Sequence, residues 1–351
     1  MSTIIYPENT SPAADAEAIR KACQGWGTDE KAIISIIGHR NATQKKLIRQ
    51  AYEELYCEDL VKRLESELSG QFEKAVYRWI LNPRDRDAVI LHVAIKERAI
   101  PNYRVVIEYS CIYSPEELLA VKRAYQARYK TSVEEDIAQY STGHLRKASF
   151  FLFFFLVFLP TFIFVAWSRC LCLIPFATYI QFLVGLAGTY RYVGDELNAR
   201  VANSEADILH NAISTKDFNN EEIVRIISTR STTQLVATLN RYKDHYGSSI
   251  TKHLLDDTNE GNKEYLLALR TTIRCISDPQ KYYEKVIRYA MNECGTDEES
   301  VTRVIVTRAE KDLKEIKEVY YKRNSVTLDQ AITNHTSGNY KAFLLTLLGN
   351  E

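Results

Sequence analysis

Apolar residues recur along this chain at the spacing of helices rather than strands. They lie at i, i+3 and i+4 in one stretch (Ile33, Ile36 and Ile37) and at i, i+4 and i+8 in another (Leu60, Leu64 and Leu68). Such spacing lines one face of an α-helix. Thr28 or Asp29 provides a good N-cap for the first stretch, and Thr296 with Glu299 fits a capping box later in the chain. The pattern predicts an all-α protein.

The helical pattern repeats. Residues 25–40, GWGTDEKAIISIIGHR, are similar to residues 293–308, ECGTDEESVTRVIVTR, at an offset of 268. Two weaker copies begin at residues 107 and 225, at offsets of 73 and 190. Repeated supersecondary units indicate an array of similar bundles. We predict a short N-terminal tail and four repeats, with bounds 1–14, 15–82, 83–192, 193–278 and 279–351.

The second repeat is too long. Equivalent positions 40, 113, 230 and 308 are separated by 73, 117 and 78 residues. Removing the 34 residues 148–181 shortens the middle spacing to 83 and joins Lys147 to Phe182. The apolar FLVGL that begins at Phe182 then continues the second repeat as FLLTLL continues the fourth. An anomalous hydrophobic insertion over 148–181 is therefore predicted.

Three interpretations of this insertion compete. Phe150–Trp167 contains eighteen residues with no charge and eight phenylalanines, which is near the lower limit for a membrane-spanning helix. Residues 150–187 could form a membrane hairpin, an additional buried helix pair, or the translation of a retained intron. The third is favoured because the insertion interrupts a predicted helix and leaves the repeat intact on both sides, whereas functional insertions more often enter loops.

Charge and cysteine content narrow the class of protein. The 45 basic and 45 acidic residues balance, so no global positive field attracts nucleic acid or anionic lipid. An anionic partner must then be bound locally or through a metal, and we predict no nucleic-acid partner. Seven scattered cysteines without a C-x-x-C pair are typical of a reduced intracellular chain. The polar N-terminus lacks an apolar signal core, which favours a cytoplasmic location.

The stretch CQGWGTDE contains candidate chemistry. Gly25 and Gly27 let the chain turn several carbonyl groups toward one point, and Glu67 ends a later helix. Calcium prefers six to eight oxygen ligands. The carbonyls of Cys23, Gly25 and Gly27 with the Glu67 carboxylate form a candidate site, leaving positions for water or a lipid phosphate. The alternative is a plain turn between helices with a solvated Glu67.

The G-x-G-T-D loop, the acid forty residues later and the fourfold repeat together resemble the annexin family, in particular its plant type. The resemblance covers nearly all the chain except 148–181. It implies four bundles of five helices in a curved disc, with calcium loops on the convex face. It also implies reversible, Ca²⁺-dependent binding to acidic phospholipid membranes by a cytoplasmic, peripheral protein. The ligand roles carry over to Cys23, Gly25, Gly27 and Glu67.

The other repeats depart from this pattern. In the fourth repeat Gly295 remains and Met291 matches Cys23, but Glu293 replaces the first loop glycine and His335 replaces the acid. A neutral imidazole is a poor ligand for calcium, so Met291, Glu293 and Gly295 form a weak or degenerate site. The second and third repeats have ERAIPN and STKDFNNEE in place of the loop. One sound site is predicted.

Trp26 lies between the two loop glycines. A calcium ion that bridges the loop to a lipid phosphate would bring this tip to the depth of the headgroups, where tryptophan is favoured. We therefore expect Trp26 to contact the membrane. The alternative is a ring that folds back onto its own bundle.

Two weaker signals suggest other activities. A peroxidase activity has been attached to a histidine in plant annexins, and His39 is similar in position, but no haem motif accompanies it. The string VRII at 224–227 is similar to the family's proposed actin-binding tripeptide, which makes actin a candidate partner, although its spacing is also that of core positions. We expect a binding protein with no catalytic residue and no enzymatic reaction.

Deleting residues 148–181 should raise both the solubility and the melting temperature of the protein. The deletion restores the repeat and removes eight phenylalanines that have no predicted partner face, and exposed apolar patches promote aggregation. Thermal melting and light scattering of the two chains provide the measurement. A lower melting temperature for the deleted chain would show that the insertion belongs to the core.

Overall fold

The computed structural model describes most of the chain as helices joined by turns. The described ranges are 1–25, 27–98, 101–139, 179–188, 191–218, 220–255, 263–292 and 295–350. No strand occurs in these ranges, which agrees with the all-α prediction. Within them, no helix is both long and apolar enough to span a bilayer.

The chain forms two compact units, and the first unit combines the two ends of the chain. It comprises Met1–Asp87 and Gln280–Glu351. Its N-terminal helices are α1 (Pro12–Ala22), α2 (Glu30–Ile37), α3 (Ala42–Tyr56), α4 (Leu60–Glu67) and α5 (Gly70–Ile80). Its C-terminal helices are α17 (Glu298–Arg308), α18 (Leu313–Asn324), α19 (Leu328–His335) and α20 (Gly338–Leu347).

The second unit comprises Ala88–Pro279. Its helices are α7 (Tyr103–Ile112), α8 (Pro115–Tyr129), α9 (133–139), α10 (179–188), α11 (Ala199–Ser214), α12 (Glu221–Thr229), α13 (Thr232–Tyr246), α14 (Ile250–His253) and α15 (Lys263–Ser277). Helices α6 (Pro83–His92) and α16 (Pro279–Asn292) cross the boundaries between units, and a π-helical turn follows α6 at Val93–Glu97.

Short polar side chains begin the helices of the first repeat. The Asp29 carboxylate accepts a hydrogen bond from the Ala32 amide at 3.0 Å at the start of α2. Asn41 and Gln44 form a capping box on α3, with bonds of 2.9 and 3.1 Å. These contacts satisfy amide groups that the first helical turn leaves without partners. Of the two N-caps proposed for α2, the structure uses Asp29, which leaves the Thr28 hydroxyl available for another contact.

The capping box predicted for Thr296 and Glu299 is wrong. Asp297 caps α17 by accepting from the Ser300 amide at 3.2 Å. Glu299 instead accepts from Nη2 of Arg78 on α5 at 2.7 and 2.8 Å. Arg78 is almost fully buried, and a buried guanidinium needs a charged partner. This distant contact overrides the local motif.

Most of the predicted insertion lies outside the described residues, since only 179–181 of 148–181 belong to α10. Phe182, the predicted point of continuation, is fully buried and meets the Tyr265 ring edge-on, with 5.7 Å between ring centroids. Tyr179, which lies within the predicted insertion, is also buried and packs on Tyr103. The last residues of the predicted insertion and Phe182 after it therefore both contribute to the core of the second unit. The interpretations of residues 148–178 remain predictions.

Candidate functional site

The loop between α1 and α2 adopts a conformation that requires glycine at two positions. Gly25 has φ of 103° and Gly27 has φ of 96°, a region that residues with a Cβ rarely adopt. A Cβ atom at either position would meet no atom within 4 Å. Backbone conformation, rather than lack of space, is therefore the reason for these two glycines, and both face solvent.

The ends of the loop are tied to each other. The Asp29 amide donates to the Ala22 carbonyl at 2.9 Å, and the Cys23 amide donates to the Ile19 carbonyl at 3.1 Å. The end of α1 and the start of α2, where the loop begins and ends, are thus held next to each other. Gly25 and Gly27 project from this closed base, and Trp26 between them lies outside the described residues.

Thr28 connects the loop to the end of α4. Its hydroxyl donates to Oε2 of Glu67 at 3.0 Å and lies 3.3 Å from the Glu67 carbonyl oxygen. Glu67 is the last residue of α4, and its side chain is half-buried against the loop. The structure therefore brings the acid and the glycine loop together, as the sequence predicted.

Arg63 contacts two of the predicted ligand groups at once. Its Nη2 donates to the Cys23 carbonyl oxygen at 2.8 Å and lies 2.9 Å from Oε1 of Glu67. Because one nitrogen reaches both oxygens, they are less than about 6 Å apart, and opposite oxygens around a calcium ion are separated by about 5 Å. The two groups already gather around a positive charge, so they fit a cation.

The Cys23 thiol is not available as a ligand. The side chain is buried, and burial, followed by the nearby Glu67 charge, raises the pKa of the thiol. A neutral thiol is a poor partner for calcium, whereas a backbone carbonyl is a good one. Cys23 therefore offers its main-chain oxygen. Among the described residues, no three His, Cys, Asp or Glu side chains form a metal-binding group.

The described part of the fourth-repeat loop keeps the backbone features of the first without the acid. Gly295 has φ of 102°, and the Asp297 amide donates to the Ala290 carbonyl at 2.8 Å. The Thr296 hydroxyl donates to the carbonyl oxygen of His335 at 3.1 Å, which parallels the contact of Thr28 with Glu67. Met291 is buried at the position of Cys23. Glu293 lies outside the described residues.

The residues considered for other activities have structural contacts. His39 Nδ1 lies 2.9 Å from the Ile5 carbonyl oxygen, which links the end of α2 to the N-terminal segment. In the string 224–227, Ile226 and Ile227 are buried, and Arg225 pairs with Glu222 at 2.7 Å. His39 thus contacts the N-terminal segment, and two of the four residues 224–227 belong to the core.

Sequence reasoning missed two residues of this site. Thr28 was considered only as an N-cap, and nothing in the sequence indicated that its hydroxyl turns to Glu67. Arg63 stands four residues before Glu67 on α4, the spacing at which opposite charges meet on a helix. That spacing could have identified the ion pair, although it could not have identified the additional contact with Cys23.

Comparisons with known proteins identify a family. The family model for annexin matches residues 14–79, 204–269 and 282–347. The second and third segments begin 190 and 268 residues after the first, the same offsets as in the internal repeat.

Individual relatives match over nearly all of their own length. Annexin-like protein RJ4 of Fragaria ananassa is 58% identical, covering 100% of both chains. Annexin D6 of Arabidopsis thaliana is 44% identical, covering 100% of this chain and 99% of its own. The solved structure of chicken annexin V is 29% identical with a TM-score of 0.81, covering 99% of each chain.

Replacing Gly27 by alanine should lower the stability of the protein by about 1–2 kcal/mol, because a Cβ is disfavoured at this φ. Urea unfolding without calcium provides the measurement. The matched control is Gly185→Ala in α10, where a Cβ also meets no atom within 4 Å and φ is not positive. The control should be neutral or stabilising by about 0.5–1 kcal/mol. Equal effects of the two substitutions would contradict a strained loop.

Proposed function

Because this chain belongs to the annexin family, we propose that it binds acidic phospholipid membranes through a calcium site in its first repeat. Family and fold support calcium-dependent phospholipid binding in general. The more specific proposal assigns the ligand roles to the carbonyls of Cys23, Gly25 and Gly27 and to the Glu67 carboxylate. The observation that carries it is the position of Glu67, which the Thr28 hydroxyl and Arg63 hold beside the loop.

The residues of the proposed site have different roles in binding. In this proposal the two glycines provide main-chain carbonyls at a solvent-facing loop, and Glu67 provides the only negative side chain of the set. Coordination positions that the protein leaves open are then available to water or to a phosphate oxygen. Bound calcium supplies the local positive charge that attracts an acidic headgroup. A chain with zero formal net charge has no global field to do so.

The fourth repeat contributes little in this proposal. It keeps the loop conformation at Gly295, but a histidine stands where the first repeat has its acid, and Glu293 stands where it has a glycine. Carbonyl groups alone attract a divalent cation weakly, because they carry only partial charges. We therefore assign Met291, Glu293 and Gly295 to a degenerate site. The whole proposal describes reversible, peripheral binding without a chemical reaction.

Replacing Glu67 by glutamine should remove most calcium-dependent binding to liposomes that contain acidic phospholipid. The substitution preserves size and removes the negative charge of the ligand set. Co-sedimentation with vesicles over a calcium titration provides the measurement. The matched control is His335→Ala at the equivalent position of the fourth repeat, which should change little at neutral pH. Equal losses from the two substitutions would contradict a single dominant site.

We also propose that Trp26 enters the membrane interface when the loop binds. Calcium and acidic vesicles together should shift tryptophan emission to the blue, and Trp26→Phe should abolish the shift. Trp26→Ala should weaken vesicle binding by about 10–100-fold, since burying such a ring contributes about 1.5–3 kcal/mol.

Trp79 is best retained in this experiment. Its ring is fully buried and its indole N–H donates to the Ile37 carbonyl at 2.9 Å, so its emission should not respond to vesicles. Substituting it would remove a buried hydrogen bond. A spectrum of the full chain that is indifferent to calcium and vesicles would show that Trp26 does not reach the membrane.

A further inference from the structure

Arg63 contacts two of the proposed ligands of the calcium site. Its Nη2 atom lies 2.8 Å from the Cys23 carbonyl oxygen and 2.9 Å from Oε1 of Glu67. The other oxygen of the same carboxylate accepts the Thr28 hydroxyl at 3.0 Å. Both carboxylate oxygens and one of the three proposed carbonyls are thus engaged within the protein.

A guanidinium and a calcium ion compete for such oxygens. Each is a cation that seeks carbonyl and carboxylate lone pairs, and the hydrogen bonds of Arg63 are of the strong, charge-assisted type. A bidentate carboxylate presents both oxygens to calcium, so Oε1 would have to leave Arg63. Two like charges beside one carboxylate also repel each other.

We propose that Arg63 is an internal competitor for calcium, which pairs with Glu67 and Cys23 in the ion-free protein and withdraws when the ion binds. This inference rests on the proposed calcium site. It assigns to Arg63 the role of setting the calcium concentration at which the loop loads. The side chain is about one-quarter exposed (26%), so it has a solvent-facing side toward which it can move.

The fourth repeat keeps the described features of the loop without this arginine. The offset of 268 matches Arg63 with Ala331 and Glu67 with His335. Gly295 and Thr296 nevertheless keep the φ value and the hydrogen bond that Gly27 and Thr28 have. Arg63 is therefore not required for these two features of the loop. The fourth repeat lacks both the arginine and the carboxylate, as expected if the arginine is present to form an ion pair with Glu67.

The test measures calcium binding to the full chain without membranes. Arg63→Met retains much of the length and apolar stem of the side chain and removes its charge. The Glu67-dependent calcium affinity, obtained by calorimetric titration, should become roughly ten-fold tighter, the change expected from losing one strong charge-assisted contact. Arg63→Gln keeps a neutral donor, and its affinity should lie between those of Arg63→Met and the natural chain.

Thermal melting provides a second readout. In chelator, Arg63→Met should melt below the natural chain, because Glu67 and the Cys23 carbonyl lose their partner. Saturating calcium should then raise its melting temperature by more than it raises that of the natural chain, since stabilisation by a ligand grows with affinity. Far-UV circular dichroism confirms folding. If Arg63→Met does not fold, the calcium affinity of Arg63→Gln is compared with that of the natural chain instead, and competition predicts a tighter affinity for Arg63→Gln.

A parallel Glu67→Gln variant separates the two hypotheses. Calcium affinity unchanged by Glu67→Gln would overturn the proposed ligand set itself. Binding lost in Glu67→Gln but unchanged or weakened in Arg63→Met and Arg63→Gln would overturn only the role of Arg63. In the Glu67→Gln background, adding Arg63→Met should have little effect, because the carboxylate for which the two cations compete is absent. A ten-fold gain there would also contradict competition.

Discussion

The candidate site depends on one electrostatic interaction: the partly buried Glu67 carboxylate and the neighbouring Cys23 carbonyl oxygen share a positively charged partner. This partner is the Arg63 guanidinium, at 2.9 and 2.8 Å. The pair is half-buried, so solvent screens it only in part. In the proposed function, calcium would take the place that the guanidinium now has beside these oxygens.

The helices that carry the loop do not depend on this ion pair. The offsets 73, 190 and 268 match Tyr52 with Tyr125, Tyr242 and Tyr320, and all four rings are buried. The hydroxyl of Tyr125 bonds to Asp136 at 2.6 Å, and that of Tyr242 bonds to His253 at 2.7 Å. Asp136 and His253 are the counterparts of Arg63. A position that holds the loop's guanidinium in one repeat therefore anchors a core tyrosine in two others.

This separation explains how repeats differ in chemistry while keeping one fold. Burial of the apolar helical faces stabilises each bundle and is indifferent to the loop sequence. Gly295 and Thr296 keep the φ value and the hydroxyl–carbonyl hydrogen bond of Gly27 and Thr28 although His335 replaces the acid, so these two features do not depend on the carboxylate. In the proposed function, cation binding is consequently a local property of a few side chains, and the helical bundle that carries them is common to the repeats.

The sequence by itself predicted the helical class and the offsets of the repeat, while the association of the glycine loop with Glu67 was one of two alternatives until the resemblance to annexins favoured it. These follow from periodic apolar positions and from glycines whose φ values few other residues adopt. Only the tertiary structure decided which partners the polar side chains choose. Thr28 turned from capping α2 to bonding Glu67, and Glu299 left its capping box for Arg78. The reason is physical: a helix cap is a weak local preference, whereas a charged group that is partly removed from water takes the strongest partner that folding brings within reach.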